Sequence, residues 1–244
     1  MHPAVLDRWS RGSSPVHRRD ARAKLVALLV FLVCLATAHR ALPWLAAGLL
    51  VLLAAALLWA RLPLAAALAR AAVVVPFGAV FALISWAAGD PARGLALVAK
   101  SYLSALAVLL VVATTPLPAL LRGLEMMGAP PFLLAVGQFL HRYLFVISEE
   151  ARHIRTAAVA RGAAARDWMA PGVRFRSAAG ALAGLFARSY RRAEEIHRAM
   201  RARGFGGRIP PLGEARFRGG DAVFAVLASL APVALRVAVE RVAR

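Results

Sequence analysis

The residues with the clearest potential for chemistry are two glutamate–histidine pairs of identical spacing. Glu150 precedes His153 by three residues, and Glu194 precedes His197 by three residues. On a helix such residues lie on one face, and carboxylate-bridged di-iron sites use pairs of this kind. Such a site also requires two inward-facing glutamates from other helices. A membrane di-metal oxidase is therefore one hypothesis for this chain.

The simpler interpretation is that these acids form ion pairs with arginines three or four residues away on the same helix. The other glutamates at hand are Glu125, Glu149, Glu195 and Glu214, and the neighbouring arginines would repel a dication. The ion-pair interpretation explains the same residues with fewer requirements. We therefore predict no metal ligands, no cofactor and no catalytic residues in this chain.

A second pattern is a tripeptide that occurs twice, as Ala160-Arg161-Gly162 and as Ala202-Arg203-Gly204. A glycine after the last helical turn permits positive φ, and an arginine beside it complements the helix dipole. A guanidinium that projects beyond a helix end can also bind carboxylates and carbonyls of another protein. Because the same ending is repeated, we favour docking over capping alone.

The segments before the two tripeptides predict amphipathic helices that can pack against each other. Arginines lie away from an apolar stripe in both segments. The stripe of the first segment is Ile147, Ala151, Ile154 and Ala158, and that of the second is Tyr190, Ala193, Ile196 or His197, and Met200.

Composition excludes a soluble globular protein. Of the 244 residues 61% are hydrophobic and 18% are charged, and the mean hydropathy is +0.65. Of the 31 lysines and arginines, 17 lie between Thr115 and Asp221. Such a cluster marks the cytoplasmic side of a membrane protein. The net charge of +19 thus indicates topology, and aromatic residues are too sparse in the basic region to predict nucleic-acid binding.

The segment order predicts an all-α integral membrane protein with four to five transmembrane helices and a cytoplasmic-side helical domain that ends in the two Ala-Arg-Gly tips. A cytoplasmic tail covers 1–24, and transmembrane helices 1 to 4 lie within 25–115. The helical domain covers 116–220, and a C-terminal transmembrane helix lies within 221–244. We expect the spans after the first at about 41–60, 71–88 and 94–115. The last span places the C-terminus outside, although its terminal arginines oppose the positive-inside rule.

Three residues and one stretch within the apolar segments carry further expectations. Pro76 is predicted to kink the third span, and Lys100 to reach the interface or a neighbouring helix. A residue of a transport pathway is the alternative for Lys100. Cys34 is the only cysteine, which excludes an internal disulfide and favours a packing role. The apolar stretch 132–146 is expected near the interface or under the bundle, since polar residues interrupt it.

Several enzymatic motifs are absent from the sequence. It contains no Gly-x-x-x-x-Gly-Lys-Ser/Thr phosphate loop, no nucleophile elbow and no His-Glu-x-x-His helix. We therefore expect that the chain does not hydrolyse nucleotides by itself.

The two Ala-Arg-Gly endings, the second within Met200-Arg201-Ala202-Arg203-Gly204-Phe205, resemble the coupling helices of the transmembrane T component of energy-coupling factor (ECF) transporters. The stretches Asp20-Ala21-Arg22-Ala23-Lys24, Thr114-Thr115-Pro116 and Arg142-Tyr143-Leu144-Phe145-Val146 agree in order and spacing. The resemblance covers nearly the whole chain and is nearest to CbiQ, the T component of cobalt and nickel importers. Ala21 stands where the family usually has proline.

The resemblance implies a coupling subunit that joins two cytoplasmic ABC-type ATPases to a small membrane subunit that binds the substrate. Arg161 and Arg203 would seat in grooves of the two ATPases, and their alanine and glycine neighbours would permit close approach. The membrane helices would meet the substrate-binding subunit within the cell membrane, with the N-terminus cytoplasmic and no nucleic acid involved. A structural membrane scaffold without ATPase partners is the second hypothesis, and the di-metal oxidase is the third.

Overall fold

The computed structural model describes residues 9–10, 12–38, 42–161, 171–207 and 217–242. Within these ranges every regular element is a helix, which confirms the prediction of an all-α chain. The nine α-helices of the described residues are α1 (Ala21–Ala36), α2 (Leu42–Trp59), α3 (Leu64–Ala71), α4 (Val75–Ala87), α5 (Pro91–Thr114), α6 (Leu117–Met126), α7 (Pro131–Ala160), α8 (Pro171–Ala202) and α9 (Gly219–Val242).

The chain divides into two compact units. The first comprises Met1–Gly128 and Gly213–Arg244, and the second comprises Ala129–Leu212. The first unit thus holds α1 to α6 and α9, whereas the second holds α7 and α8. The functional domain boundaries derived from the sequence stay predictions.

Four helical segments among the described residues are long and apolar enough to cross a membrane. They are Leu64–Ala87, Pro91–Thr114, Pro131–Ala160 and Gly219–Arg241, and the shorter apolar helix Pro43–Trp59 accompanies them. The chain is therefore a multi-pass membrane protein by length and composition of its helices.

Two predicted segments differ from the structure. The first predicted span corresponds to α1, whose 16 residues extend only about 24 Å, less than the ~30 Å of a bilayer core. The second difference concerns α7, which continues through Val146 without a break. Its only proline is Pro131 at the first position, so nothing interrupts the helix further along. The stretch 132–146, expected to lie near the interface or under the bundle, is therefore part of a helix long enough to span.

Proline and aspartate residues set most helix boundaries. The Asp20 carboxylate accepts the Arg22 N–H at 2.8 Å, and the Asp90 carboxylate accepts the Arg93 N–H at 3.0 Å, so both cap a helix start. Before Pro76 the helix changes to a 3-10 turn at Ala72–Val74. Proline has no N–H to donate to the carbonyl four residues earlier, which explains the predicted break at this position.

The core of the first unit consists mainly of leucines. Leu35 of α1, Leu45, Leu49 and Leu57 of α2 and Leu106 of α5 are fully buried. Where α4 crosses α5, a Cβ on Gly94 would lie 2.8 Å from the Ala82 carbonyl oxygen. Glycine is therefore required for this close approach, as is common between helices in membranes.

Contacts at both ends of α1 define the direction of its neighbours. Lys24, in the first turn of α1, contacts Thr114 at the end of α5, so these two helices are antiparallel. Asp221 at the start of α9 contacts Asp20, and Arg236 near its end contacts Thr37, so α9 runs parallel to α1. Cys34 is buried, and its thiol donates to the Pro232 carbonyl at 3.5 Å, in agreement with the expected packing role.

Candidate functional site

The end of α8 forms a complete backbone cap around the second Ala-Arg-Gly tripeptide. The Phe205 N–H donates to the Met200 carbonyl and the Gly204 N–H donates to the Arg201 carbonyl, both at 3.0 Å. This pair of bonds is the Schellman arrangement, and it requires the positive φ of +77° that Gly204 adopts. The predicted role of Gly204 in the turn is therefore confirmed. Glycine adopts this positive φ without strain because it has no Cβ.

The end of α7 carries the first tripeptide. The Arg161 N–H donates to the Ala157 carbonyl at 3.1 Å, so the helical hydrogen bonds continue to this residue. Gly162 lies outside the described residues, and the turn expected there stays a prediction.

The two arginine side chains are not needed for these helix ends. Arg161 and Arg203 are exposed, and so are Ala160 and Ala202. Within the described part of the chain, neither guanidinium makes a hydrogen bond or an ion pair. Since backbone groups alone close the α8 end, the Arg203 guanidinium is available to another molecule.

The helices α7 and α8 face a common groove of about 730 Å³ in the second unit. Ile147 of the first predicted stripe and Ala193, Ile196 and Met200 of the second lie in its walls. The groove continues along α7 through residues outside the predicted stripe, namely Val136, Phe139, Leu140 and Tyr143. Their spacing of three and four residues would have revealed them, since it repeats that of the stripe.

Among the side chains that the structure describes, one ion pair connects the two helices. The Arg188 guanidinium of α8 donates to the Glu150 carboxylate of α7. The predicted partner of Glu150, an arginine three or four residues away on the same helix, is therefore wrong, because local spacing says nothing about the facing helix. The pair ties α7 to α8 partway along their lengths.

Glu194 of the second glutamate–histidine pair follows the ion-pair interpretation, and so does Glu149, which belongs to neither pair. The Glu149 carboxylate lies 3.4 Å from the Arg152 guanidinium and 3.2 Å from the His153 imidazole. The Glu194 carboxylate lies 3.3 Å from the Arg198 guanidinium. In each pair the two residues are three or four positions apart. Among the residues that the structure describes, no group of three or more His, Cys, Asp or Glu side chains is placed to hold a metal ion.

The side chains of Lys100 and Arg236 both bind backbone carbonyls at the C-terminal end of α1, in the first unit. Lys100 donates to the carbonyls of Ala38 at 2.6 Å and Ala36 at 3.0 Å, which confirms the contact with a neighbouring helix. Arg236 donates to the Thr37 carbonyl at 3.0 Å and the Cys34 carbonyl at 3.3 Å. The last carbonyls of a helix lack partners within it, and these side chains satisfy them. Arg236 is thus a helix cap. This role explains why an arginine lies near a C-terminus that is predicted to be outside, where the positive-inside rule does not favour one.

Lys100 also lines a cavity of about 880 Å³ in the first unit, beside Ser101 and Ser104 of α5 and Arg70 of α3. The walls are otherwise apolar. Lys100, Ser101 and Ser104 form a polar stripe on one wall of this cavity. Such a stripe is also expected of a transport pathway, which is the alternative role of Lys100.

Comparison with protein families gives one finding. A family model described as CbiQ, cobalt transport protein, matches residues 12–212. The matched range covers the second unit, the first unit from residue 12 to Gly128 and both Ala-Arg-Gly tripeptides, but not α9. The comparison with individual curated proteins found no match.

Proposed function

This chain belongs to the CbiQ family of cobalt transport proteins, and we propose that it is the transmembrane T component of an ATP-driven ECF-type importer. In this proposal it links two cytoplasmic ABC ATPases to a small membrane subunit that binds the substrate, a cobalt or nickel ion. The sequence has no phosphate-binding loop, so we assign ATP hydrolysis to the partners.

The observation that carries the proposal is the pair of unengaged arginines at the ends of two long helices. Arg161 and Arg203 each present a planar fork of donors that suits a carboxylate or carbonyl of a partner. Two tips would provide one docking point for each of two ATPases. The small residues Ala160, Gly162, Ala202 and Gly204 beside them would let the partner approach the backbone. A Cβ at Gly204 would have no neighbour within 4 Å, so that side of the tip is open.

The helices behind the tips are suited to transmit force. α7 has 30 residues and α8 has 32, which correspond to rods of about 45 and 48 Å. The Glu150–Arg188 pair and the shared groove join the rods within one unit. A displacement of either tip would therefore move a stiff element of unit 2 rather than a loop.

We propose that the tail 1–24 and the coupling domain 116–220 are cytoplasmic, because the basic residues concentrate there. In this proposal α7 lies along the cytoplasmic side and does not cross the membrane, although its length and composition would allow a crossing. The turn between α4 and α5 would then be outside. An impermeant maleimide added to intact cells is expected to label Ala88→Cys and not Ala165→Cys, both in a Cys34→Ala background. Labelling of Ala165→Cys alone would reverse the orientation.

The partners are tested by purifying the tagged chain from its native membrane and identifying what accompanies it. We expect two ABC ATPases and one small membrane protein, and ATP hydrolysis only in preparations that contain the ATPases. A scaffold would bring neither ATPase, and a di-metal oxidase would bring stoichiometric iron. Either result contradicts the proposal.

A further inference from the structure

Lys24 is a buried cation in the first turn of α1. Its exposed fraction is 3%, and its ammonium donates to the Thr114 carbonyl and to the Thr115 hydroxyl, both at 2.9 Å. Both threonines are buried as well. The three side chains belong to segments 90 residues apart in the chain, so the contact joins distant parts of the first unit.

The contact lies at a helix break. Thr114 is the last residue of α5, Thr115 is extended with φ −141° and ψ 119°, and Pro116 precedes α6. The last carbonyls of a helix have no partner of their own, so Lys24 supplies one for Thr114 at the point where the chain changes direction. The Thr114 hydroxyl meanwhile donates to the Leu110 carbonyl at 2.8 Å.

The same turn of α1 receives α6. A Cβ on Gly123 would lie 3.1 Å from the Ala21 Cβ and 3.4 Å from the Arg22 backbone nitrogen, so the two helices are in close contact. Beyond α6, Gly128 turns the chain with a φ of +94° into the second unit, which begins at Ala129. α6 is therefore the covalent connection from the bundle to the start of α7.

Two acids complete the arrangement around Lys24. Asp20 caps α1, and buried Asp221 at the start of α9 accepts the backbone N–H groups of Asp20 at 3.3 Å and Arg218 at 3.1 Å. Asp221 also lies 3.8 Å from Arg19. Both carboxylates attract the Lys24 ammonium and offset part of its cost of burial. We call Lys24, Thr114, Thr115, Asp20 and Asp221 the Lys24 junction.

We propose that Lys24 is a positioning residue for coupling, in that it makes α6 move together with α1 and α9. This inference rests on the proposed function, because it concerns how movement of the second unit reaches the membrane helices. A movement that enters through α7 reaches α6 along the chain. α6 then moves α1 and α9 only if α6 is held firmly against them. Without the Lys24 contacts the Thr115 break acts as a hinge that absorbs the movement.

The first test asks whether Lys24 holds α6 and requires only the isolated chain. Hydrogen exchange of the backbone amides is measured for the wild type, Lys24→Met and Arg93→Met, which removes an exposed cation from the same unit. We expect Lys24→Met to accelerate exchange in α6 and at the end of α5 and to leave α4 unchanged. Unaltered exchange in α6 overturns the proposal.

The second test separates positioning from stability alone. In vesicles that contain the complex with its ATPases, metal-ion uptake and ATP hydrolysis are measured together. We expect Lys24→Met to lower the number of ions imported per ATP hydrolysed by about 5- to 150-fold, which is the range that typical coupling energies give, and Arg93→Met to leave it unchanged. A purely structural role would lower both rates in proportion to the amount of assembled complex, and that result overturns the proposal.

Thr115 provides a milder pair in case Lys24→Met does not fold. Thr115→Ser keeps the hydroxyl that accepts from Lys24, whereas Thr115→Val removes it. We expect the ratio of uptake to hydrolysis to stay normal in the serine variant and to fall in the valine variant, and equal ratios overturn the proposal. If the wild type binds no ATPase, the proposed function fails, and the coupling role fails with it. The exchange measurement still decides whether Lys24 holds α6.

Discussion

Replacing both Arg161 and Arg203 with alanine is expected to abolish association with the two ATPases and ion uptake, while the chain itself stays folded. The fold is expected to survive because backbone hydrogen bonds, and no bond from the guanidinium, close the end of α8. If each guanidinium is buried against a partner carboxylate, its loss costs ~2–5 kcal/mol of association. Every ~1.4 kcal/mol is a factor of ten in affinity, so the two losses together prevent assembly at cellular concentrations.

A matched control is the double variant Arg155→Ala with Arg198→Ala. These arginines are exposed on the same two helices, five or six residues before the tips, so the control removes the same charge from α7 and α8. It is expected to assemble and to import normally. Arg161→Lys with Arg203→Lys keeps the charge but loses the planar fork, and we expect it to bind the ATPases more weakly than the wild type.

The capping interpretation makes the opposite prediction. A charge at a helix end contributes typically 0.3–1 kcal/mol to stability and nothing to a partner. If the double alanine variant assembles with its ATPases and imports substrate at the normal rate, the arginines are caps and the coupling assignment is wrong. Co-purification and uptake in the same preparation distinguish the two interpretations.

The second large effect is expected from removing both cations at the C-terminal end of α1. In the double variant Lys100→Met with Arg236→Met, the carbonyls of Cys34, Ala36, Thr37 and Ala38 lose four hydrogen bonds from side chains. Two of these bonds are exposed and two are partly buried, so each contributes the ordinary net value of about 0.5–1.5 kcal/mol. The four bonds together contribute about 2–6 kcal/mol. For a chain of this length each kcal/mol lowers the thermal midpoint by roughly 2–4 °C, so we expect a decrease of about 4–24 °C in detergent.

The double variant Arg93→Met with Arg241→Met serves as the control for this variant, because both arginines are exposed and their replacement removes the same two charges. Its midpoint is expected to match that of the wild type. The single variants also test the alternative for Lys100. If Lys100→Met leaves the midpoint unchanged but stops uptake, Lys100 belongs to a transport pathway and is not a helix cap.

The ends of most helices could be predicted from local chemistry. Asp20 and Asp90 cap helix starts, Pro76 interrupts a helix, and Gly204 ends one with positive φ. Each effect depends on residues within one turn, so it is present in the sequence. The length of α7 was missed because polar residues at Gln138, His141 and Arg142 suggested a boundary. They lower the hydropathy, but they do not break a helix.

In the candidate site, too, some features could be predicted from local patterns and others could not. The repeated Ala-Arg-Gly endings and the apolar stripes are local patterns, and the tips could be named from them alone. The partner of Glu150 could not, because helical spacing shows which face a residue occupies and not which helix lies opposite. The same limit applies to Arg236, whose place in an apolar helix gave no sign that it caps α1.

The sequence by itself determined the membrane class, through its hydropathy, the helical fold, and the family, through short motifs in a constant order. Only the tertiary structure decided that two of those motifs meet, with Lys24 bound to Thr114 and Thr115. The physical reason is the range of the interactions. Helix formation and capping depend on neighbours within about four residues, whereas a buried ammonium is stable only where packing brings carbonyls, hydroxyls and carboxylates from distant segments to the same point.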